Sequence, residues 1–198
     1  MSVVRPYRGV SAEQRRADRR EQLLEACREV IGRDGMAAAT VGAVCTEAGL
    51  TKRYFYEGFT DLDAMLVEVL DGLFIVVRAR ILAALEPLGP ARTARAQATI
   101  EQLVTTMLED PRMARLYVES PGHPQLLARR EQAFRDYAEL WNGDVLGIDS
   151  PSARQRVAAL HHVAGTTQTV VSWLRGGEVI DRAQLVDELA GLGLPRAG

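Results

Sequence analysis

The stretch Thr40 to Phe59 reads TVGAVCTEAGLTKRYFYEGF. Its second half sets a hydroxyl, two cations and a phenol side by side at Thr51, Lys52, Arg53 and Tyr54. Arginine carries a planar fork of donors that fits a guanine edge or a phosphate, and hydroxyls reach phosphate oxygens. Residues of these types, so closely spaced, suit recognition of an anionic polymer and not the breaking of bonds. To act together they need one rigid element with a polar outer face. The spacing predicts two short helices joined by a glycine turn, Val41 to Ala48 and about Thr51 to Tyr56. Val41, Val44 and Cys45 of the first would pack on Leu50 and Phe55 of the second. Gly49 stands where the tight turn asks for a positive φ, which glycine adopts at no steric cost. A second helix of this kind enters a major groove with its N-terminal residues toward the base edges.

The net charge of -2 gives no hint of such a partner, but its distribution does. Residues 1–20 hold six arginines against Glu13 and Asp18, whereas residues 61–198 hold 14 basic and 18 acidic side chains. A cationic arm on an acidic body suits a localised anionic partner. Lys52 is the only lysine, which reads as composition bias. Other chemistries lack their residues. Cys27 and Cys45 are too far apart for a C-x-x-C redox pair and fall at apolar positions of predicted helices, as small buried hydrophobes. No Glu-x-x-His or His-x-x-x-His pair offers a metal site. Ser120, Ser150 and Ser152 lack a nucleophile-elbow setting, and no glycine-rich phosphate loop occurs. The sequence reads as a non-enzyme without cofactor or metal.

Around the motif the chain reads as helix after helix, with no sustained period-2 alternation. Ser11 with Gln14 resembles a capping box opening a first helix, whose apolar face is Leu23, Leu24, Cys27, Val30 and Ile31 and which ends at Gly35. Thr60, with Asp61 and Asp63 in the first turn, opens a long helix to about Leu85 with a core stripe from Leu66 through Phe74 to Ile81. Beyond the Pro87–Pro90 breaker, helices are predicted over about Arg92–Leu108, Pro111–Glu119 and Gln125–Leu146. The last of these would bury Leu127, Phe134, Tyr137, Ala138, Trp141 and Val145. Ser150-Pro151 would start a helix from Ser152 to Arg175, and Asp181 a final one to about Leu192. The expectation is an all-α fold of nine helices. Residues 1–60 would form an N-terminal arm and three-helix head, and residues 61–198 a helical ligand-binding and dimerisation domain. No apolar run approaches the roughly 20 residues of a membrane span, and Met1 to Arg20 lack the apolar core of a secretory signal. A cytoplasmic protein without a membrane partner is expected.

From Leu23 to Leu70 the sequence resembles the DNA-binding domain of the TetR family of regulators. The resemblance rests on Gly35 after the first helix, Thr40-Val41, Val44, Ala48-Gly49-Leu50-Thr51, Phe55-Tyr56, Phe59, Ala64 and Leu66. It implies roles for residues in the motif and before it. Thr51 would hold a phosphate at the start of the recognition helix. Lys52 and Arg53 would be the groove-facing cations, with Tyr54 on a thymine methyl or a phosphate. Tyr56 and Thr40 would bind the phosphate backbone. Arg15, Arg16, Arg19 and Arg20, with Arg5 and Arg8, would reach backbone or minor groove. Phe55 and Phe59 would be core. Two positions depart from the family: Gly58 stands where it usually carries Tyr or His, and Leu62 where it carries Lys, both phosphate contacts. Glu57 adds an anion. These changes should lower nonspecific affinity and flatten its salt dependence.

The resemblance also implies an effector pocket and a dimer interface in the helices after about Leu70. Pocket candidates are Met107, Tyr117, Phe134, Tyr137 and Trp141, with Thr166 and His161. His162 is adjacent to His161, so at most one of the two faces a given site. Val157, Leu160, Ala164, Gly165, Gln168 and Val171 would let the predicted Ser152–Arg175 helix pair with its copy in a four-helix bundle. The function so implied is a homodimeric repressor, released from a palindromic double-stranded DNA operator by a small-molecule effector. The alternative is a helical protein-interaction module of the same fold that has lost DNA binding, favoured by Glu57, Gly58 and Leu62.

Overall fold

Ser11 opens the first helix of the computed structural model, which describes residues 11–177 and 180–195. Its Oγ accepts the Gln14 N–H at 2.9 Å, while the Gln14 side chain donates to Asp18 at 2.9 Å, so the box is only half made. Helix α1 (Ala12–Asp34) ends at Gly35, whose φ of 92° lies where only glycine is unstrained. A 3-10 turn, Met36–Ala38, leads into α2 (Val41–Glu47) and α3 (Lys52–Gly58). Long α4 (Leu62–Leu85) is capped by Asp61, which accepts the Ala64 N–H at 2.7 Å. This corrects the expected cap at Thr60, whose hydroxyl bonds the Asp61 carboxylate instead. A carboxylate at the positive helix end outcompetes a neighbouring hydroxyl.

The body continues with α5 (Arg92–Glu109), α6 (Pro111–Glu119) and α7 (Pro124–Leu140), then a π-turn over Trp141–Val145. The expected single helix to Leu146 widens there. Helix α8 (Ala153–Leu174) starts from Ser152, not from Ser150-Pro151, because Gln155 three residues on closes a full capping box with Ser152. Asp181 caps α9 (Arg182–Leu192) as expected. The described residues thus form nine α-helices, short 3-10 turns and no strand. None of the helices is long and apolar enough to cross a membrane. Leu127 is exposed, against expectation; α7 turns Leu126, Arg130, Ala133, Ala138 and Leu140 inward.

One continuous apolar core runs from Leu23 and Phe55 in the head to Trp141 and Leu185 in the body. A polar clasp joins α1 to α6 across it. Arg112 pairs with Glu25 at 2.7 Å and with Glu29. Arg115 donates to the last-turn carbonyls of Gly32 and Arg33 at 3.0 and 3.1 Å, and Glu119 accepts the Met36 N–H at 2.7 Å. A Cβ on Gly32 would overlap the Arg112 side chain, so the close approach of the two helices needs glycine there.

Candidate nucleic-acid interface and internal cavity

Helix α3 owes its orientation to one ring. Phe55 is fully buried, against Phe59 at 5.6 Å and edge-on to Tyr56 at 5.3 Å, and Val44 and Cys45 of α2 lie in the same core. Gly49, at φ 63°, turns the chain between the helices, and the Ala48 carbonyl there accepts from Gln22 of α1 at 2.7 Å. Thr40 caps α2 through the Ala43 N–H at 3.1 Å. With Phe55 held inward, helical geometry sets Arg53 on the opposite side of α3, with Tyr54 and Tyr56 on its flanks. Thr51 at the N-cap and Lys52 in the first turn are exposed because the helix start is uncovered, and all five side chains reach solvent. Arg53 has 85% of its side chain in solvent, and Tyr56 is 61% exposed. The Thr51 hydroxyl makes no capping hydrogen bond.

The arginines of α1 divide into two groups. Arg16 donates to the Glu57 carbonyl, and Arg19 lies 4.5 Å over the Tyr54 ring and 3.6 Å from the Glu57 carboxylate. Both border α3, and Arg15 is exposed on the same helix. Arg20 belongs to the fold instead: it pairs with Glu68 of α4 and covers the Phe59 ring at 4.5 Å. Its stem packs over Gly58, 3.6 Å from where a Cβ would stand. Arg5 and Arg8 lie outside the described residues. Glu57 is the hub of the surface, holding Arg53 at 3.1 Å as well as Arg19. Sequence reading gave Glu57 an unfavourable charge but not this pairing, although the i, i+4 spacing to Arg53 signals it. Leu62 is half-buried and packs on the core.

In the body, α4, α5, α6, α7 and α8 surround an apolar cavity of about 60 Å³. Of the expected pocket residues, Met107, Tyr117, Phe134, Tyr137, Trp141 and Thr166 line it. His161 does not: it is exposed on the outer side of α8, and His162 lines the cavity in its place, its ring 4.2 Å from that of Trp141. Burial pushes the His162 imidazole down to about 4, with His161 adding to the effect, so the ring is neutral near pH 7. Phe74, Val77 and Ile81, read from sequence as core stripe, also face the cavity. The Tyr137 hydroxyl donates to the Phe74 carbonyl at 2.8 Å, and Thr166 lies 3.4 Å from the His162 Nδ1. Tyr117 lies on α6 between the clasp residues Arg115 and Glu119, with its ring on the cavity.

Outside the cavity α8 exposes Val157, at 68%, together with Leu160, Gly165 and Gln168, beside a half-buried Ala164. Val171 is buried within the same chain, next to Val170 and one turn from the buried Thr167, and so does not belong to this exposed face. Leu192 of α9 is exposed as well.

Residues 23–69 match the model of the bacterial regulatory proteins of the tetR family. The N-terminal domain is a TetR-family domain. The whole chain has the TetR-like fold, an N-terminal helix-turn-helix domain followed by a helical C-terminal domain. It is similar to the multidrug binding protein EbrR complexed with imidazole, at 19% identity and TM-score 0.71 over 91% of this chain and 97% of that one. It is similar also to the fatty acid degradation regulator FadR from Bacillus halodurans, at 18% identity and TM-score 0.71 over 89% and 94% of the two chains. A tetR-family transcriptional regulator from Streptomyces coelicolor aligns at 18% identity and TM-score 0.69 over 88% of this chain and 78% of that one. No curated protein matches the chain.

Proposed function

We propose that this TetR-fold chain is a homodimeric, DNA-binding transcriptional regulator, a repressor released from a palindromic operator when a small molecule enters the cavity. The observation that carries the reading is the α3 surface. One fully buried ring fixes a short helix whose Thr51, Lys52, Arg53, Tyr54 and Tyr56 all face out. In this reading Arg53 and Lys52 meet base edges, and Thr40, Thr51, Tyr54 and Tyr56 meet phosphates, flanked by Arg15, Arg16 and Arg19. We take residues 1–60 as the reading head and residues 61–198 as the effector and dimer domain. The head works in pairs, because a palindrome needs two recognition helices about one helical turn of DNA apart. The exposed strip of α8, with Leu192 of α9, suits a four-helix interface with a second copy.

Release follows from a shift of population. A ligand in the cavity changes the packing around Tyr117 and Met107, and the α6–α1 clasp and α4 carry that change to the head. Ligand binding then favours a head spacing that no longer fits the operator. A cavity of about 60 Å³ is small beside the ~300–1,000 Å³ of drug-sized sites, so the effector is small or the aromatic walls move. A protein of the same fold, EbrR, is described with imidazole bound. The regulator acts in the cytoplasm and is not an enzyme. A second reading, an interaction module without DNA binding, draws on Glu57, which holds both Arg53 and Arg19. Selection from a random duplex pool separates the two, with an Arg53→Ala, Tyr56→Phe double variant in parallel. The regulator reading predicts a palindrome enriched by the wild type alone; a folded dimer that enriches nothing overturns it.

A further inference from the structure

Aromatic walls ordinarily make a cavity a receptor for cations, whose charge sits over a ring face. Here those rings are already engaged. The Arg130 guanidinium lies 4.1 Å from the Tyr117 ring centre and 5.8 Å from that of Phe134, and Arg129 lies 5.0 Å from that of Phe74. All three rings line the cavity. Arg129 is neutralised by Asp71, with Asp136 3.9 Å away. Arg130 has no such partner among the described residues. It is 5% exposed and takes part in none of the ion pairs among the described residues. One terminal nitrogen donates to the Tyr117 carbonyl and the Ser120 hydroxyl, both at 3.2 Å, and its buried Nε has no hydrogen-bond partner.

Resting on the reading of the cavity as the effector site, we propose that it takes an apolar anion, such as an arylalkyl carboxylate, and rejects cations despite its aromatic lining. A full positive charge stands behind Tyr117 in a low-dielectric interior, with no counter-ion among the described residues, and none of the described carboxylate side chains lines the cavity. Capping the end of α6 accounts for one of its nitrogens, not for the uncompensated charge. The field reaches the cavity wall. Burial raises the Tyr117 hydroxyl, and Arg130 works against that rise. At Tyr137 burial again raises the hydroxyl, and Arg78 and Arg129 oppose it. A ligand carboxylate supplies the missing counter-charge; a ligand ammonium adds a like charge to rings whose attraction for cations is already in use.

The test is calorimetric titration of the purified protein at pH 7.5 and fixed ionic strength with three probes of one body: 3-phenylpropanoate, 3-phenylpropan-1-ol and 3-phenylpropylammonium. The expected order is carboxylate, then alcohol, then ammonium, with at least about tenfold between the first and last. In Arg130→Gln, checked for native helicity, the carboxylate should lose its advantage over the alcohol. If that variant does not fold, the wild-type order and its persistence at raised salt, which screens surface sites but not buried ones, carry the test. Ammonium binding as tightly as carboxylate, none of the three binding, or an unchanged preference in a folded Arg130→Gln would each overturn the proposal. Binding of the same preparation to duplex DNA is scored separately, so failure of the charge preference is distinguishable from failure of the regulator reading.

Discussion

Arginine is used in opposite surroundings at the two ends of this molecule. Arg53 on α3 has 85% of its side chain in solvent and a surface carboxylate, Glu57, for company. Arg130 on α7 is 5% exposed and has no carboxylate partner among the described residues. An exposed guanidinium is weakly coupled to its own protein and is available to an outside anion. A buried one projects its charge through a medium that screens poorly. The head therefore presents its cations as contacts, whereas the body presents one as a field. Affinity at the head should be strongly salt-dependent, and the charge preference of the cavity should not.

The sharpest way to break this comparison is to remove what orients the head. Phe55→Ala empties the fully buried ring site that turns Arg53 outward. It should lower stability by about 3–5 kcal/mol in denaturant titration and abolish DNA binding. Retained DNA binding would mean that the α3 surface does not depend on that ring. Next in size is a change of pH at the cavity. His162 titrates near 4 in the folded chain because it is buried, below the ordinary imidazole value. A base with a lowered folded value contributes stability that is whole above about pH 6.5 and is lost as pH falls from there toward 4. We expect about 2 kcal/mol of pH-dependent loss in that window, removed by His162→Gln and accompanied by a change in Trp141 emission, since the two rings are 4.2 Å apart. A flat profile over that window would contradict the buried, neutral ring.

The clasp between the two regions should show a smaller effect. Arg112→Ala removes a half-exposed network worth about 1 kcal/mol. Hydrogen bonds from Arg28 and Arg112 hold the Glu25 carboxyl below its usual value. That contribution is present above the ordinary carboxylate range and is lost as pH falls through the lowered folded value, so the variant and the wild type should converge in stability once the pH is well below the ordinary carboxylate range. A gap that persists there would assign the loss to packing. Last is Glu57→Gln, which frees Arg53 and Arg19 and should tighten binding to unrelated duplex DNA by about three- to tenfold without altering stability, as measured by fluorescence anisotropy. No change would mean that the pairing on α3 does not restrain those cations.

The two regions also differ in how far they could be read from sequence. The head was legible because its chemistry lies in one run of 20 residues, where Phe55 inward dictates Arg53 and Tyr56 outward. The cavity draws on five helices, and its lining carries the same periodicity as a filled core, so Phe74, Val77 and Ile81 gave no separate signal. Adjacent histidines left the choice between His161 and His162 to the rotation of α8, which packing decides. On α7 the buried Arg130 breaks the apolar period; with it, the inward row passes through Leu126 and leaves Leu127 outside. Two serines competed to start α8, and only the bond between Ser152 and Gln155 selects one. Both departures from the family pattern have local counterparts: Arg20 covers Gly58, and Leu62 joins the core.

The central claim is that the exposed face of α3 reads duplex DNA. It is tested most directly by the salt dependence of affinity for the selected palindrome and for an unrelated duplex, compared between the wild type and Arg53→Ala. The account predicts a steep fall in affinity with salt for both duplexes, and a preference for the palindrome that Arg53→Ala lowers by about tenfold or more. Binding that is insensitive to salt, or a palindrome preference untouched by Arg53→Ala, would contradict it.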